Sequence, residues 1–302
     1  VQFNEESILL GLDNSCYGIG TLGGGISFFD FDKDGWDDIT VSSEEGEPVK
    51  FYNNINGYFS QIDFGIEDEL FETKTVQWID FDNDNDYDIF ITSNSDSNLL
   101  YENLGNMVFN DITISSGLIL NNNSNFGSSW GDYDKDGYLD VFICSRGDFS
   151  NDTQNYLYHN NGDGTFTIVN DLVGIDNNHH FSFCSAFFDY NNDGKKDLFA
   201  FLINGGEDGI NGTDENPTGK LMFYENYLSE SSEPQYFDSE IVWGGWLDVN
   251  DFNGDGIFDI LVTGNNAHEI SKVDGNLFEN IPFEIFYFNT DGFTALARHR
   301  YF

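Results

Sequence analysis

The chain has 302 residues, with 54 Asp or Glu against 11 Lys or Arg, a formal net charge of −43 and a pI near 4.1. Nucleic-acid binding needs a basic footprint and anionic membranes attract basic segments, so both partner classes are excluded. No apolar run approaches the roughly 20 residues that span a bilayer, and aromatics at 17%, with 31 Phe and 15 Tyr, separate the chain from a disordered acidic tail.

No basic n-region precedes an apolar stretch, so Val1 is expected to begin a mature chain or a fragment. Phe3 followed by Gly11-Leu12 matches Phe109 followed by Gly117-Leu118 at the same spacing of 8. Residues 1–20 therefore read as the fourth strand and exit of a preceding or ring-closing unit. Next comes an acidic nonapeptide, Asp30-Phe-Asp32-Lys-Asp34-Gly35-Trp36-Asp-Asp38. It recurs with Asp80, Asp82, Asp84, Asn85, Asp86 and Asp88; with Asp132, Asp134, Asp136, Gly137, Tyr138 and Asp140; with Asp189, Asn191, Asp193, Gly194, Lys195 and Asp197; and with Asp251, Asn253, Asp255, Gly256, Ile257 and Asp259. Successive copies start 50, 52, 57 and 62 residues apart.

A second motif follows each copy: Tyr-x-Asn, a turn, then an aromatic. The instances are Tyr52/Asn54/Phe59, Tyr101/Asn103/Phe109, Tyr158/Asn160/Phe166, Tyr224/Asn226/Phe237 and Tyr287/Asn289/Phe293. A third motif, Phe and then Gly-Leu or Gly-Ile, closes the first three units at Gly65-Ile66, Gly117-Leu118 and Gly174-Ile175. The third unit predicts strands at Phe126–Gly131, Leu139–Cys144, Tyr156–His159 and Thr165–Val169, with Asn161-Gly162-Asp163-Gly164 as a hairpin turn. No segment holds a 3.6-residue period over a useful length. Four short antiparallel strands repeated at this spacing predict an all-β fold of β-propeller blades, with a linear β-solenoid as the structural alternative. The expected blades cover about 21–66, 73–118, 125–175, 181–240 and 241–302 of one 302-residue propeller domain. The last has its own fourth strand around Phe293–Ala297, which suggests that the native chain runs past Phe302 or that closure is unusual.

Oxygen-bearing residues at positions 1, 3, 5 and 9 around a Gly at position 6 make an oxygen cage, and position 7 can add a backbone carbonyl, from Trp36, Asp86, Tyr138, Lys195 or Ile257. Hard oxygen ligands in this number suit Ca²⁺. The five loops carry 18 side-chain carboxylates at those positions, and five Ca²⁺ ions would bring the formal charge only from −43 to −33. Loops 4 and 5 carry Asn191 and Asn253 at position 3 and are expected to bind more weakly. Asn85 replaces the position-6 Gly of loop 2 and tolerates positive φ better than most residues.

The pattern D-x-[DN]-x-D-G-x-x-D resembles the FG-GAP repeat of integrin α-subunit propellers. The set FNDITISSGL, GSSWGDYDKDGYLDVFICS and NYLYHNNGDGTF is similar to bacterial repeat proteins related to cartilage acidic protein. The resemblance implies an extracellular or cell-surface seven-bladed propeller with Ca²⁺ in its blade loops.

Cys144 and Cys184 sit in apolar runs and read as buried thiols; with Cys16 they cannot all pair, and no Cys-x-x-Cys spacing is present. Arg146-Gly147-Asp148, His179-His180 and the sequons at Asn122, Asn151 and Asn211 are isolated signals. No phosphate loop, nucleophile elbow or HExxH sequence occurs. The repeated polar residues are absorbed by metal loops and turns, which favours a non-enzymatic module binding protein or glycan. The alternative is a polysaccharide-active lyase or glycosidase on the same scaffold. The distance from the first loop Asp to the strand-3 Tyr grows from 22 and 21 to 26, 35 and 36 residues. The inserted segments hold Arg146, Asp148 and Phe149, then Glu207, Asp208, Asp214 and Glu215, then His268, Glu269 and Lys272. They place a partner on the face opposite the metal loops.

Overall fold

The computed structural model describes residues 6–12, 24–66, 72–94, 97–118, 124–145, 155–175, 180–204, 219–224, 234–239, 241–266, 283–289 and 292–299. The described chain is all-β, in five four-stranded antiparallel sheets whose strands follow one another in chain order, the up-and-down order of propeller blades. Blade 1 holds β1 (Ile26–Phe29), β2 (Asp38–Val41), β3 (Lys50–Ile55) and β4 (Tyr58–Ile62). Blade 2 holds β5 (Thr73–Ile79), β6 (Asp88–Ser93), β7 (Leu99–Asn103) and β8 (Phe109–Asp111), followed by the single helical turn α1 (Thr113–Ser116). Blade 3 holds β9 (Asn125–Gly131), β10 (Asp140–Ser145), β11 (Tyr156–Asn160) and β12 (Phe166–Ile168), then α2 (Asn170–Val173). Blade 4 holds β13 (His180–Phe188), β14 (Asp197–Asn204), β15 (Gly219–Tyr224) and β16 (Gln235–Ser239). Blade 5 holds β17 (Ile241–Asn250), β18 (Asp259–Asn266), β19 (Phe283–Asn289) and β20 (Gly292–His299).

The chain divides into two compact units, Val1–Asn125 with Asn161–Thr167, and Phe126–Asn160 with Ile168–Phe302. The second strands of blades 2 and 3 are buried on both faces, so their middles, Ile89–Ile91 and Val141–Cys144, are apolar without alternation: every residue of β6 and β10 is buried. In the first unit, Phe31, Phe51, Trp78, Ile89 and Ile91 share one core. Phe31 stacks on Trp78 at 4.6 Å, and Phe64 meets Phe31, Phe51 and Phe109 edge-on. In the second unit, Phe188, Phe199 and Phe223 stack at 4.6 and 4.5 Å, and Phe288 closes on the stack edge-on. These offset and edge-on contacts account for the high Phe content, because flat rings fill the space between twisted sheets while retaining favourable quadrupole geometry.

The helical turns are a feature the sequence periodicity missed: four residues are too few to show a period. Their signal was the third motif, since Gly117 and Gly174 take left-handed conformations at the C-caps of α1 and α2. The N-terminal match extends to this feature. Ser7–Gly11 forms a turn in which Gly11 is left-handed (φ 86°), and the Phe59 amide of β4 donates to Leu10 O at 2.8 Å. The strand expected before that turn lies at residues 1–5, outside the described residues. Cys144 and Cys184 are free thiols; burial pushes Cys144 up to about 11 and Cys184 well above its ordinary range, the state of small core hydrophobes.

First strands of neighbouring blades approach closely where a side chain is absent. A Cβ on Gly127 of β9 would lie 2.3 Å from the Phe183 carbonyl oxygen of β13. Gly127→Ala is therefore expected to lower stability by about 1–3 kcal/mol, despite the better intrinsic strand behaviour of Ala. An unchanged urea midpoint would show that the strands separate without cost.

Candidate metal centres

All five acidic loops join strands 1 and 2 of their blades, and each is wound by the same side-chain to backbone hydrogen bonds. The position-1 carboxylate accepts from the amide at position 6: Gly35 to Asp30 (2.9 Å), Asn85 to Asp80 (3.2 Å), Gly137 to Asp132 (3.1 Å), Gly194 to Asp189 (2.7 Å) and Gly256 to Asp251 (2.9 Å). Position 3 accepts from the amide at position 5, whether it is Asp32, Asp82 and Asp134 or Asn191 and Asn253. Position 5, namely Asp34, Asp84, Asp136, Asp193 and Asp255, accepts from the amide at position 7, that of Trp36, Asp86, Tyr138, Lys195 or Ile257. These bonds curl alternate side chains inward. Asn85 adopts φ 70°, the conformation of the Gly it replaces, and position 4 is left-handed too, at Lys33, Asn83, Lys135, Asn192 and Gly254. Asn83, Asn192 and Gly254 signal this second left-handed position in loops 2, 4 and 5, whereas Lys33 and Lys135 mask it in loops 1 and 3.

Position 9 has a different environment. Asp38, Asp88, Asp140, Asp197 and Asp259 are at most 1% exposed at the start of strand 2. One oxygen of each accepts from the amide just after position 1: Phe31 (3.0 Å), Phe81 (3.2 Å), Tyr133 (3.0 Å), Tyr190 (3.3 Å) and Phe252 (3.0 Å). The other accepts from strand 3, from Asn54 (2.7 Å), Asn103 (2.8 Å), Asn160 (2.9 Å) or, in blade 5, Phe288 (3.1 Å). This explains the Tyr-x-Asn motif. Its Asn side chain also donates to the carbonyl before the buried Asp, at Asp37, Tyr87 and Leu139. In blade 5 the expected Tyr287/Asn289 pair is displaced by one residue: Ile260 pairs with Phe286, where Ile39, Ile89 and Val141 pair with Tyr52, Tyr101 and Tyr158, so Phe288 and not Asn289 supplies the amide.

The loops bring carboxylates together. Oxygens of Asp30, Asp32 and Asp38 lie within 4.8 Å of one another, as do those of Asp80, Asp82 and Asp88, and of Asp132, Asp134 and Asp136. Burial, reinforced by the neighbouring carboxylates, raises Asp38 to about 6, Asp88 to about 8 and Asp140 to about 7; the amide bonds pull the other way. Asp82, Asp134 and Asp259 are raised for the same first cause, whereas Asp251 is lowered by its bonds from Gly256 and the neighbouring amides. Asp80 Oδ1 is buried and accepts no hydrogen bond, although its carboxylate sits in the second cluster. In the other four loops the matching oxygen, on Asp30, Asp132, Asp189 or Asp251, accepts the amide at position 5; in loop 2 it is left open beside two further carboxylates, a place that a cation can fill. In blades 4 and 5, with Asn at position 3, no triad of carboxylates forms among the described residues.

A residue that the sequence analysis passed over also reaches the loops: the x of Tyr-x-Asn. Asn53 Nδ2 donates to Asp32 Oδ2 at 2.5 Å, the Glu102 charge helps to raise Asp82, and His159 Nδ1 lies 3.2 Å from both Asp134 Oδ2 and Asp140 Oδ1. Its signal was its alternation, which puts it on the strand face opposite the buried Tyr. Residues 146–154 and 205–218, His179, His268 and the sequons Asn122, Asn151 and Asn211 lie outside the described residues. His180 begins β13.

Two substitutions separate the roles of positions 3 and 9. In excess chelator Asp82→Asn is expected to be neutral or stabilising, since Asn191 and Asn253 keep the same turn bond with one charge fewer. Asp88→Asn under the same conditions is expected to cost about 1–3 kcal/mol, because its amide group meets an N–H donor. Denaturant unfolding of both variants in chelator measures this; equal effects would show that position 9 has no scaffold role.

Residues 80–143 and 132–200 match the model of the FG-GAP-like repeat. No curated protein matches the chain by sequence. Among solved structures the chain is similar to an Agrocybe aegerita lectin described as specifically recognising non-reducing terminal N-acetylglucosamine, at 17% identity and TM-score 0.46, covering 91% of this chain and 65% of that one. The chain thus spans about two thirds of the length of that lectin structure. The matched residues take in the acidic loops of blades 2, 3 and 4.

Proposed function

We propose that the chain is a Ca²⁺-stabilised, non-enzymatic binding module of the propeller type, working outside the cell or at its surface, with a protein or glycan as its partner. The observation that carries the cation reading is the buried Asp80 Oδ1 without a hydrogen-bond donor, inside a cluster whose counterparts recur in blades 1 and 3. In each loop the side chains at positions 1, 3, 5 and 9 and the carbonyl at position 7 supply oxygen ligands, a number and hardness suited to Ca²⁺. Each position-9 oxygen that accepts an amide keeps a second lone pair for the ion. Bound Ca²⁺ would hold the buried carboxylates ionised and remove their mutual repulsion. Sites with three or four carboxylates fill where Ca²⁺ is about millimolar, which favours an extracellular setting.

The five blades are read as part of one ring, seven-bladed by the family resemblance. Partner binding is assigned to the long strand 2–3 connections of blades 3, 4 and 5, because variable loops on a rigid scaffold are where recognition residues collect. Among the described residues no helix is long and apolar enough to cross a membrane.

Exhaustive chelation is expected to lower the melting temperature by about 5 °C or more for each site that Ca²⁺ had filled at about a hundredfold over its dissociation constant, and Ca²⁺ restores it. A melting curve indifferent to chelation would remove the cation reading. Trimming 205–219 and 265–281 to the loop length of blade 1 is expected to leave folding and Ca²⁺ binding intact while abolishing retention on a glycan or protein array. Full-strength retention by the trimmed chain would move the partner to another face.

A further inference from the structure

The strand-3 residue between Tyr and Asn differs in each described blade, and in blade 3 it is the imidazole of His159. Its Nδ1 stands 3.2 Å from Asp134 Oδ2 and 3.2 Å from Asp140 Oδ1, with Nε2 3.9 Å from Asp136 Oδ2. A ring nitrogen carries at most one hydrogen, so it cannot direct a linear hydrogen bond at both carboxylates. Both separations also exceed the roughly 2.7–2.9 Å of a charge-assisted bond. One ligand atom from each of Asp134, Asp140 and His159 lies within 4.8 Å of the other two. Ligands of a tetrahedral ion with bonds of about 2.0–2.2 Å lie about 3.3–3.6 Å apart, close to the two separations from Nδ1.

We infer that the third loop is a mixed nitrogen–oxygen site that takes a borderline transition cation of the Zn²⁺ class in preference to Ca²⁺, with His159 Nδ1, Asp134 and Asp140 as ligands. This rests on reading the loops as cation sites and adds that they are not equivalent. Imidazole nitrogen favours Zn²⁺ and its neighbours, whereas all-oxygen sets favour Ca²⁺ and Mg²⁺. Blade 1 has only oxygens and the Asn53 amide around its carboxylates, and blade 2 adds the carboxylate Glu102. Asp140 is held by the amides of Tyr133 and Asn160, and the Tyr133 ring packs edge-on to the imidazole at 6.1 Å. Two of the three ligands are therefore fixed before the ion arrives. The His159 side chain is 25% exposed, which leaves the ion a way in.

The test is a Zn²⁺ titration of the whole chain in millimolar Ca²⁺, with ¹⁵N-histidine NMR as a second readout. His159→Asn restores the residue that blade 1 carries at this position, so the variant is expected to fold. The native chain is expected to bind one Zn²⁺ that the variant binds about 100-fold more weakly or not at all, and the His159 Nδ1 resonance is expected to move on binding. Equal Zn²⁺ binding by both proteins, or an unmoved Nδ1 resonance, overturns the assignment. Melting both proteins with and without Ca²⁺ keeps the two proposals apart. If Ca²⁺ stabilises both while Zn²⁺ does not distinguish them, only the His159 site fails; if Ca²⁺ stabilises neither, the general cation reading fails.

Discussion

The buried aspartate at the start of each second strand ties the blade together. It occupies a place where burial makes a charge expensive, yet each blade keeps it. In blades 1, 2, 3 and 5 its two oxygens receive backbone N–H groups from two different parts of the blade, the loop leaving strand 1 and the far end of strand 3. At Asp88 the donors are Phe81 and Asn103, and at Asp140 they are Tyr133 and Asn160. Three strands are thus pinned at one point, and the acidic loop is pulled into a curl whose other carboxylates turn inward. The residue that fixes the blade geometry is thus also one of the carboxylates gathered in the loop.

The cost of that arrangement is electrostatic. Burial and like charges raise Asp38, Asp88 and Asp140 well above ordinary carboxylates. The 11 Lys and Arg against 54 Asp and Glu are too few to offset it. The cations that are present do specific things near the loops. Lys33 reaches from loop 1 to the Asn85 carbonyl of loop 2 and lies over the Tyr87 ring at 4.4 Å. Asn192 makes the corresponding link from loop 4 to the Gly256 carbonyl of loop 5 at 3.1 Å. Within each unit, then, adjacent loops touch through position 4, the residue whose left-handed backbone aims its side chain at the next blade.

Much of this was legible in the primary structure, for a physical reason. Repetition multiplies a weak local signal. One Asp-rich turn means little, but five, joined in blades 1, 2 and 3 to the Asn of Tyr-x-Asn, define a four-stranded unit and the residues that line its loop. The third blade's strands match the expected segments to within a residue or two, since β9 begins at Asn125 and β10 runs to Ser145. Asn85 could be placed at positive φ because the neighbouring copies carry Gly there. The turns α1 and α2 were hidden because a single helical turn has no period.

Composition and repeat spacing by themselves determined the all-β blade architecture and the five acidic loops, because those follow from alternation and turn chemistry along the chain. Only the tertiary structure decided what the recurring Asn of Tyr-x-Asn is for, that Asp80 keeps an unpartnered oxygen, and that His159 faces Asp134 and Asp140. Those depend on strand 3 lying beside the loop of the same blade, some 20 residues away in sequence, and no local pattern encodes which atoms then meet.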